Sequence, residues 1–262
     1  MRADLVRVRN RVIAGARLRR GMRVLDVGAG TGLLALETGR RVKESGTVIA
    51  LDVSTDALRE CSRATRGASL AAQLTYVGGD AVALPLPDAC VDAVIARSVL
   101  IYVTDKASAA GEMYRVVRPG GRVSICEPIN SQYQMLAEVD LSDLEPARRQ
   151  VLDRWHAGGD PGGAMTGFDE RDLVQRFVEA GFESVELTYE RVQRRSRANP
   201  DHVSAFLTTR PNPNMVSYEE AARDVLGAAA DQHLTALATR LCSQPSTSTS
   251  AAAFLRCRRA RR

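Results

Sequence analysis

The chain has 262 residues, 45% hydrophobic and 26% charged, with a net charge of +5 and a pI near 9.2. That is an ordinary globular balance, suited to one α/β domain with an appendage or two small domains, and long enough to bury a sizeable core. No stretch approaches the ~20 uninterrupted apolar residues of a membrane span, which excludes a helical membrane-spanning protein.

Cysteines occur at 61, 90, 126, 242 and 257, with no C-x-x-C pair and no zinc-ligand spacing. The odd count and the spacing predict a reduced, cytoplasmic protein without a metal site. Arginine supplies nearly all of the positive charge, since the only lysines are Lys43 and Lys106. The basic residues are spread over helix faces and both ends, without interleaved aromatics. They read as solvated faces rather than as a nucleic-acid surface. The basic start, Met1 to Arg23, lacks the continuous apolar core of a secretory signal. It reads instead as a helix over 3–18 with Leu5, Val8, Val12 and Ala16 on one face.

In chain order, Arg23–Val27 predicts a buried strand, Thr31–Glu44 a helix stopped by Gly46, and Thr47–Leu51 a second strand. Ser54 caps a helix to about Ser69. Leu74–Val77 and Val91–Ala96 are the third and fourth strands, and Asp105–Val117 is a helix. After Pro119-Gly120-Gly121, Arg122–Cys126 is the fifth strand. Strands alternating with helices imply a doubly wound, mainly parallel sheet with helices on both faces.

Beyond Pro128 the alternation stops. Residues 129–165 read as mostly helical, ending in the glycine-rich turn Gly158–Gly163, a hinge or lid edge. Asp169 opens a helix to about Ala180, and Val185–Val192 alternates like a strand. Ser217-Tyr218-Glu219-Glu220 is a capping box opening one helix towards Leu241. A Ser/Thr-rich loop is expected over 243–250, an edge strand over Ala251–Arg258, and fraying beyond it. The expected division is a core over 1–128, a helical lid over 129–168, and completion of the sheet over 169–262.

The functional signal is Asp26-Val-Gly28-Ala29-Gly30-Thr-Gly32, directly after the first strand and opening a helix. Glycines let the backbone turn tightly and approach a ligand without a Cβ in the way. The helix start adds unpaired N–H groups. Asp52 follows at the end of the second strand, 20 residues past Gly32, where an acid grips a ribose in doubly wound nucleotide sites. The dinucleotide fingerprint G-x-G-x-x-G would need glycine where Leu33 stands, which disfavours an NAD oxidoreductase.

The spacing G-x-G-x-G, with an acid two residues before it, resembles motif I of class I S-adenosylmethionine (SAM) methyltransferases. The resemblance continues over roughly 22–128, through Leu51-Asp52-Val53-Ser54, Gly79-Asp80-Ala81, Leu84–Asp88, Val91–Val94, Arg97-Ser98-Val99-Leu100 and Glu112–Gly121. As a set it is similar to the ubiquinone/menaquinone-type, or type 11, small-molecule methyltransferases. It implies a seven-stranded Rossmann-like sheet, with SAM as cofactor. By the resemblance Asp26 faces the amino group of SAM, Asp52 and Val53 the ribose, Asp80 and Ala81 the adenine, and Arg97 and Ser98 the methyl group. The acceptor it implies is a small molecule, with a homodimer as the assembly to test.

Methyl transfer is an in-line displacement, so a general base is needed only when the acceptor must lose a proton. Glu127, just past the fifth strand, is the first candidate, with Tyr102, Tyr133 and His156 behind it. Trp155 either lines the acceptor pocket or packs the lid. The family's aromatic or histidine-rich stretch past the fourth strand is Ile101-Tyr102-Val103 here, which leaves the acceptor chemistry open. The Asn/Asp-Pro-Pro-Tyr/Phe signature is absent, and two lysines poorly suit a Lys-Asp-Lys-Glu tetrad, so a nucleic-acid substrate is disfavoured. An RNA or protein methyltransferase, and a SAM-binding partner protein without turnover, stay open as alternatives.

Overall fold

The structure, a computed structural model, describes residues 3–132, 139–156, 164–165, 167–196, 198–210 and 215–261. The chain forms two compact units. One holds Met1–Ile129, Ala164–Glu190 and Ala252–Arg262; the other holds Asn130–Gly163 and Arg191–Ala251. Of the segment expected as a lid, 130–163 fall in the second unit, and so do 191–251 of the expected C-terminal completion. The Gly158–Gly163 turn lies outside the described residues.

The sheet has seven strands: β1 (Arg23–Val27), β2 (Thr47–Asp52), β3 (Gln73–Gly78), β4 (Val91–Arg97), β5 (Val117–Pro128), β6 (Glu183–Ser196) and β7 (Ser246–Arg258). Their order is β3-β2-β1-β4-β5-β7-β6. The pairs β1–β2, β2–β3, β1–β4 and β4–β5 are parallel, and β5–β7 is antiparallel. The inner strands are near-continuous apolar runs because a parallel sheet is covered on both faces: Val24, Leu25, Val48, Ile49, Val94 and Ile95 are all buried.

The covering helices of the first unit include α1 (Ala3–Ala16), α2 (Leu33–Val42), α3 (Thr55–Gly67) and α4 (Lys106–Val116). α1 buries Val12, Ile13 and Ala16 in a core with Val24, Ala93 and Cys126. Each fully buried Val or Ile contributes roughly 1.5–3 kcal/mol. Its arginines have structural partners: Arg7 and Arg11 pair with Glu190, and Arg11 lies 3.9 Å from the Phe254 ring centroid. Ser54 caps α3 through the Ala57 N–H at 3.2 Å, as the sequence predicts.

Several expectations are corrected. β7 is an inner strand between β5 and β6, not an edge, and it begins at Ser246 inside the expected loop. The β-branched threonines Thr247 and Thr249 suit a strand as well as a loop when a partner edge is available. β5 begins at Val117: the pairing jumps from Val91↔Val117 to Ala93↔Arg122, so Arg118–Gly121 bulge out, with Gly120 at φ +78°. The residues expected to fray are anchored. Arg259 donates to the carbonyls of Tyr114, Arg115 and Val117 at 2.9–3.1 Å, where a cation complements the C-terminal end of α4.

The second unit holds α5 (Glu145–His156), and, after the α6 helix of the first unit (Glu170–Glu179), α7 (Pro200–Thr208), α8 (Tyr218–Leu226) and α9 (Ala230–Ser243). Its core joins Val151, Val203, Leu207, Tyr218, Leu237 and Leu241. The Ser217–Glu220 capping box is present, but the helix it opens stops at Gly227, φ +53°, and restarts as α9. Only glycine takes that backbone turn cheaply. Trp155 packs edge-on to Phe206 and Tyr218, with centroids 5.9 and 5.8 Å away.

Candidate active site

Parallel strands bring their C-terminal ends to one rim, and the strand order reverses between β1 and β4. Open α/β sheets bind ligands at such a switch point. The glycine loop leaves β1 there, with Gly28, Gly30 and Gly32 all at positive φ. A Cβ on Gly28 would lie 2.4 Å from Val99 Cγ2, so that glycine is required by close packing. A Cβ on Gly30 would meet nothing within 4 Å. Gly30 therefore faces open space, the cradle a ligand needs.

Asp52 closes this loop. Its Oδ2 accepts the Gly30 N–H at 2.8 Å and its Oδ1 accepts the Ser54 N–H at 2.9 Å. These bonds fix the orientation of the carboxylate at the rim and leave further lone pairs for hydroxyl donors. Ala29 is buried under the loop and its N–H donates to Leu51 O at 2.9 Å; Val53 is 73% exposed. Asp80 is exposed and accepts the Val82 N–H at 3.2 Å, with Ala81 buried beside it.

Asp26 lies between β2 and β4, paired in register with Ala50 and Ile95. It is buried, and neither carboxylate oxygen has a hydrogen-bond partner among the described residues. Burial pushes its carboxyl well above the usual range, and the negative charge of Asp52 adds to the rise. An orphaned acid directly below the glycine loop fits a ligand that brings a polar or cationic group.

On the other side of the switch point stands the turn after β4. Ser98 takes φ +54°, and its N–H donates to Cys126 O at 2.8 Å. A short 3₁₀ turn, Leu100–Tyr102, follows. Glu127, at the end of β5, is fully buried. Its Oε1 accepts the Val99 N–H at 3.0 Å and its Oε2 the Ile101 N–H at 3.2 Å. Burial raises its carboxyl to about 7, against the pull of those amides and of Arg97. Tyr102 is 48% exposed; partial burial, then the charge of Glu127, raises its phenol. The structure thus brings Asp26, Gly28, Gly30, Asp52, Arg97, Ser98, Tyr102 and Glu127 to one sheet rim. Tyr133 lies outside the described residues, and of His156 only its backbone, the last residue of α5, is described.

Sequence reasoning missed Lys106. Its ammonium donates to Val103 O and Ala164 O, both at 2.8 Å, and lies 4.5 Å from the Phe168 ring centroid. The available signal was one of only two lysines in a chain that otherwise chooses arginine. The segment before β4 is held by one ion-pair network. Arg115 donates to Leu84 O, Leu86 O and Asp88, while Glu112 accepts the Leu84 N–H at 2.7 Å. A groove of about 630 Å³ lies within the helical unit, lined by Val203, Leu207 and Leu234 among others. Its Arg223 is neutralised by Glu219 and Asp231, each at 2.9 Å, and none of the rim residues above lines it. Among the described residues there is no metal-ligand cluster and no helix long and apolar enough to cross a membrane.

Residues 25–125 match the family described as "Methyltransferase domain". The fold, the glycine loop and this match agree: the chain belongs to the class I SAM-dependent methyltransferases, whose cofactor is S-adenosylmethionine. Among its relatives are proteins named "Ubiquinone/menaquinone biosynthesis C-methyltransferase UbiE". That of Yersinia enterocolitica is 38% identical over 184 residues, covering 64% of this chain and 69% of the relative. That of Erwinia tasmaniensis is 36% identical over 121 residues, covering 46% of this chain and 48% of the relative. The chain thus spans about half the length of several of the curated relatives it matches. The crystal structure of the YcgJ protein of Bacillus subtilis shares the fold, with TM-score 0.63 and 16% identity over 97% of this chain and 99% of that one.

Proposed function

We propose that this protein transfers the methyl group of SAM to a small-molecule acceptor. The observation that carries this is the Asp52 carboxylate, fixed by the Gly30 and Ser54 amides beside an open glycine loop at the switch point of the sheet. When bound, SAM supplies a methyl group on a sulfonium centre, open to in-line attack. Asp52 would take the ribose hydroxyls, with Val53 beside it. Gly28, Ala29, Gly30 and Gly32 would give the amino-acid part close backbone approach, and Asp26 would meet its ammonium. Asp80 and Ala81 would border the adenine, and Arg97, Ser98 and Tyr102 would face the methyl side.

The acceptor would be aligned and shielded from water at the same rim, since alignment supplies most of the rate in a displacement of this kind. The names of the relatives favour carbon methylation of a quinone precursor as the first acceptor class to test. Attack by carbon requires loss of a proton; the raised phenol of the half-exposed Tyr102 suits it to donate a hydrogen bond at the rim rather than to act as base, and Glu127 is fully buried, so that proton would pass to solvent water. We place the protein in the cytoplasm, in keeping with its free cysteines, with a homodimer to be tested by sedimentation.

The test is calorimetric titration with S-adenosylhomocysteine and with NAD, followed by a methyl-transfer screen over phenolic and quinone-type acceptors. Saturable binding of S-adenosylhomocysteine without NAD binding, and turnover of a small acceptor, are expected. Binding without turnover over the whole panel would replace the enzyme with a SAM-binding partner protein. Turnover of RNA or protein alone would move the acceptor class.

A further inference from the structure

We propose that Glu127 is a positioning residue for the cofactor: by accepting the Val99 and Ile101 amides it holds the turn after β4 so that Val99 packs into the glycine loop at Gly28. The inference rests on the SAM-methyltransferase reading above and assigns Glu127 a role other than general base.

Three observations carry it. First, Glu127 is fully buried and both of its oxygens are spent on backbone amides two residues apart. A carboxylate so engaged and wholly shut off from solvent presents no surface to a substrate, yet it orders the backbone from Val99 to Ile101. Second, that backbone would not hold itself. Ser98 is a non-glycine residue at φ +54°, a conformation that costs free energy unless neighbours enforce it. The Cys126 carbonyl anchors the Ser98 N–H at 2.8 Å, and Glu127, the next residue of β5, anchors Val99 and Ile101. Consecutive residues of one strand thus staple the whole turn.

Third, the turn reaches the cofactor loop directly. Val99 Cγ2 occupies the space a Cβ on Gly28 would need, 2.4 Å from its ideal position. A shift of Val99 by a few tenths of an ångström would therefore open or crowd the loop. Packed interiors transmit such shifts because they have no slack. Glu127, Val99 and Gly28 form a chain from the end of β5 to the end of β1 across β4.

The experiment is a double-mutant cycle read by S-adenosylhomocysteine calorimetry at pH 8, with wild type, E127Q, V99A and the double variant, each checked for native circular dichroism. Gln keeps the volume but has one acceptor oxygen for two amides. E127Q is expected to weaken binding about tenfold. V99A is expected to weaken it several-fold, and the double variant to fall within about twofold of E127Q alone, because both act through the same contact. Unchanged affinity in E127Q, or losses that multiply in the double variant, would overturn the proposal. If wild type itself does not bind, the methyltransferase reading falls and takes this inference with it. Should E127Q not fold, hydrogen exchange on wild type decides. Added S-adenosylhomocysteine should raise protection of the Val99 and Ile101 amides, and unaltered protection there would refute the coupling.

Discussion

The Asp52 carboxylate accepts the Gly30 N–H at 2.8 Å, so the acid at the end of β2 holds the loop at the end of β1. On the proposed reading, one residue would serve both the ligand and the loop that receives it. Asp52→Ala should abolish measurable S-adenosylhomocysteine binding or weaken it by at least 100-fold, since a ribose contact and a loop anchor are lost together. Asp52→Asn, which keeps one acceptor oxygen, should retain more of the affinity. Equal affinity of the alanine variant and wild type in calorimetry would contradict this.

The two loop glycines should separate stability from binding. Gly28→Ala puts a methyl group 2.4 Å from Val99 Cγ2 on a backbone at φ +61°, and is expected to cost about 2–4 kcal/mol of folding stability. Gly30→Ala at φ +52° meets nothing within 4 Å, so it should cost only about 1 kcal/mol while placing its methyl group where the proposed cofactor would lie. Urea denaturation should rank Gly28→Ala as the less stable, and titration should show Gly30→Ala folded but impaired in binding.

Much of this was legible because the central strands are buried on both faces. Val24–Val27, broken only by Asp26, and Val48–Leu51 and Ala93–Ala96 read as apolar runs, each ending within two residues of punctuation with a physical meaning: Gly28, Asp52, Ser98. Legibility ended where the decisive partner was remote in sequence. Nothing local in Ser246–Ala251 says that it extends the strand whose pairing with β5 begins at Ala252, and nothing around Gly227 distinguishes a tolerated helical glycine from one at φ +53°. Glu127 was found as an acid at a strand end. That its oxygens turn inward to Val99 and Ile101 depends on the path of β4, some 28 residues earlier, which periodicity does not encode.

Lys106 should prove structural. Lys106→Met keeps the length of the side chain but strands the Val103 and Ala164 carbonyls, and is expected to lower stability by about 1–3 kcal/mol. The change should appear as a lower urea midpoint with an unaltered slope. A midpoint equal to wild type would mean that water replaces the ammonium at both carbonyls.

Glu127 should also leave a signature in the pH dependence of folding. Its carboxyl is raised from about 4.5 to about 7 by burial, so between those values the native state binds a proton that the unfolded chain has released. Stability linked to this group is present in full below pH 4.5 and is lost as pH rises towards 7, by roughly 3 kcal/mol at about 1.4 kcal/mol per pH unit. Asp26, raised by burial as well, acts in the same direction from a lower starting point. The charges that bear on Glu127 include Arg97, which favours its ionised form. Exposed acids such as Glu220, held down to about 2 by Arg210, act in the opposite direction and only below pH 4.5, so the windows do not overlap. Wild type should therefore be less stable at pH 7.5 than at pH 5, and E127Q should flatten that difference while D26N removes a separate share. Urea denaturation of the three proteins at both pH values reads the effect. If E127Q keeps the full wild-type dependence, Glu127 is ionised throughout the range and the amides of Val99 and Ile101 outweigh its burial.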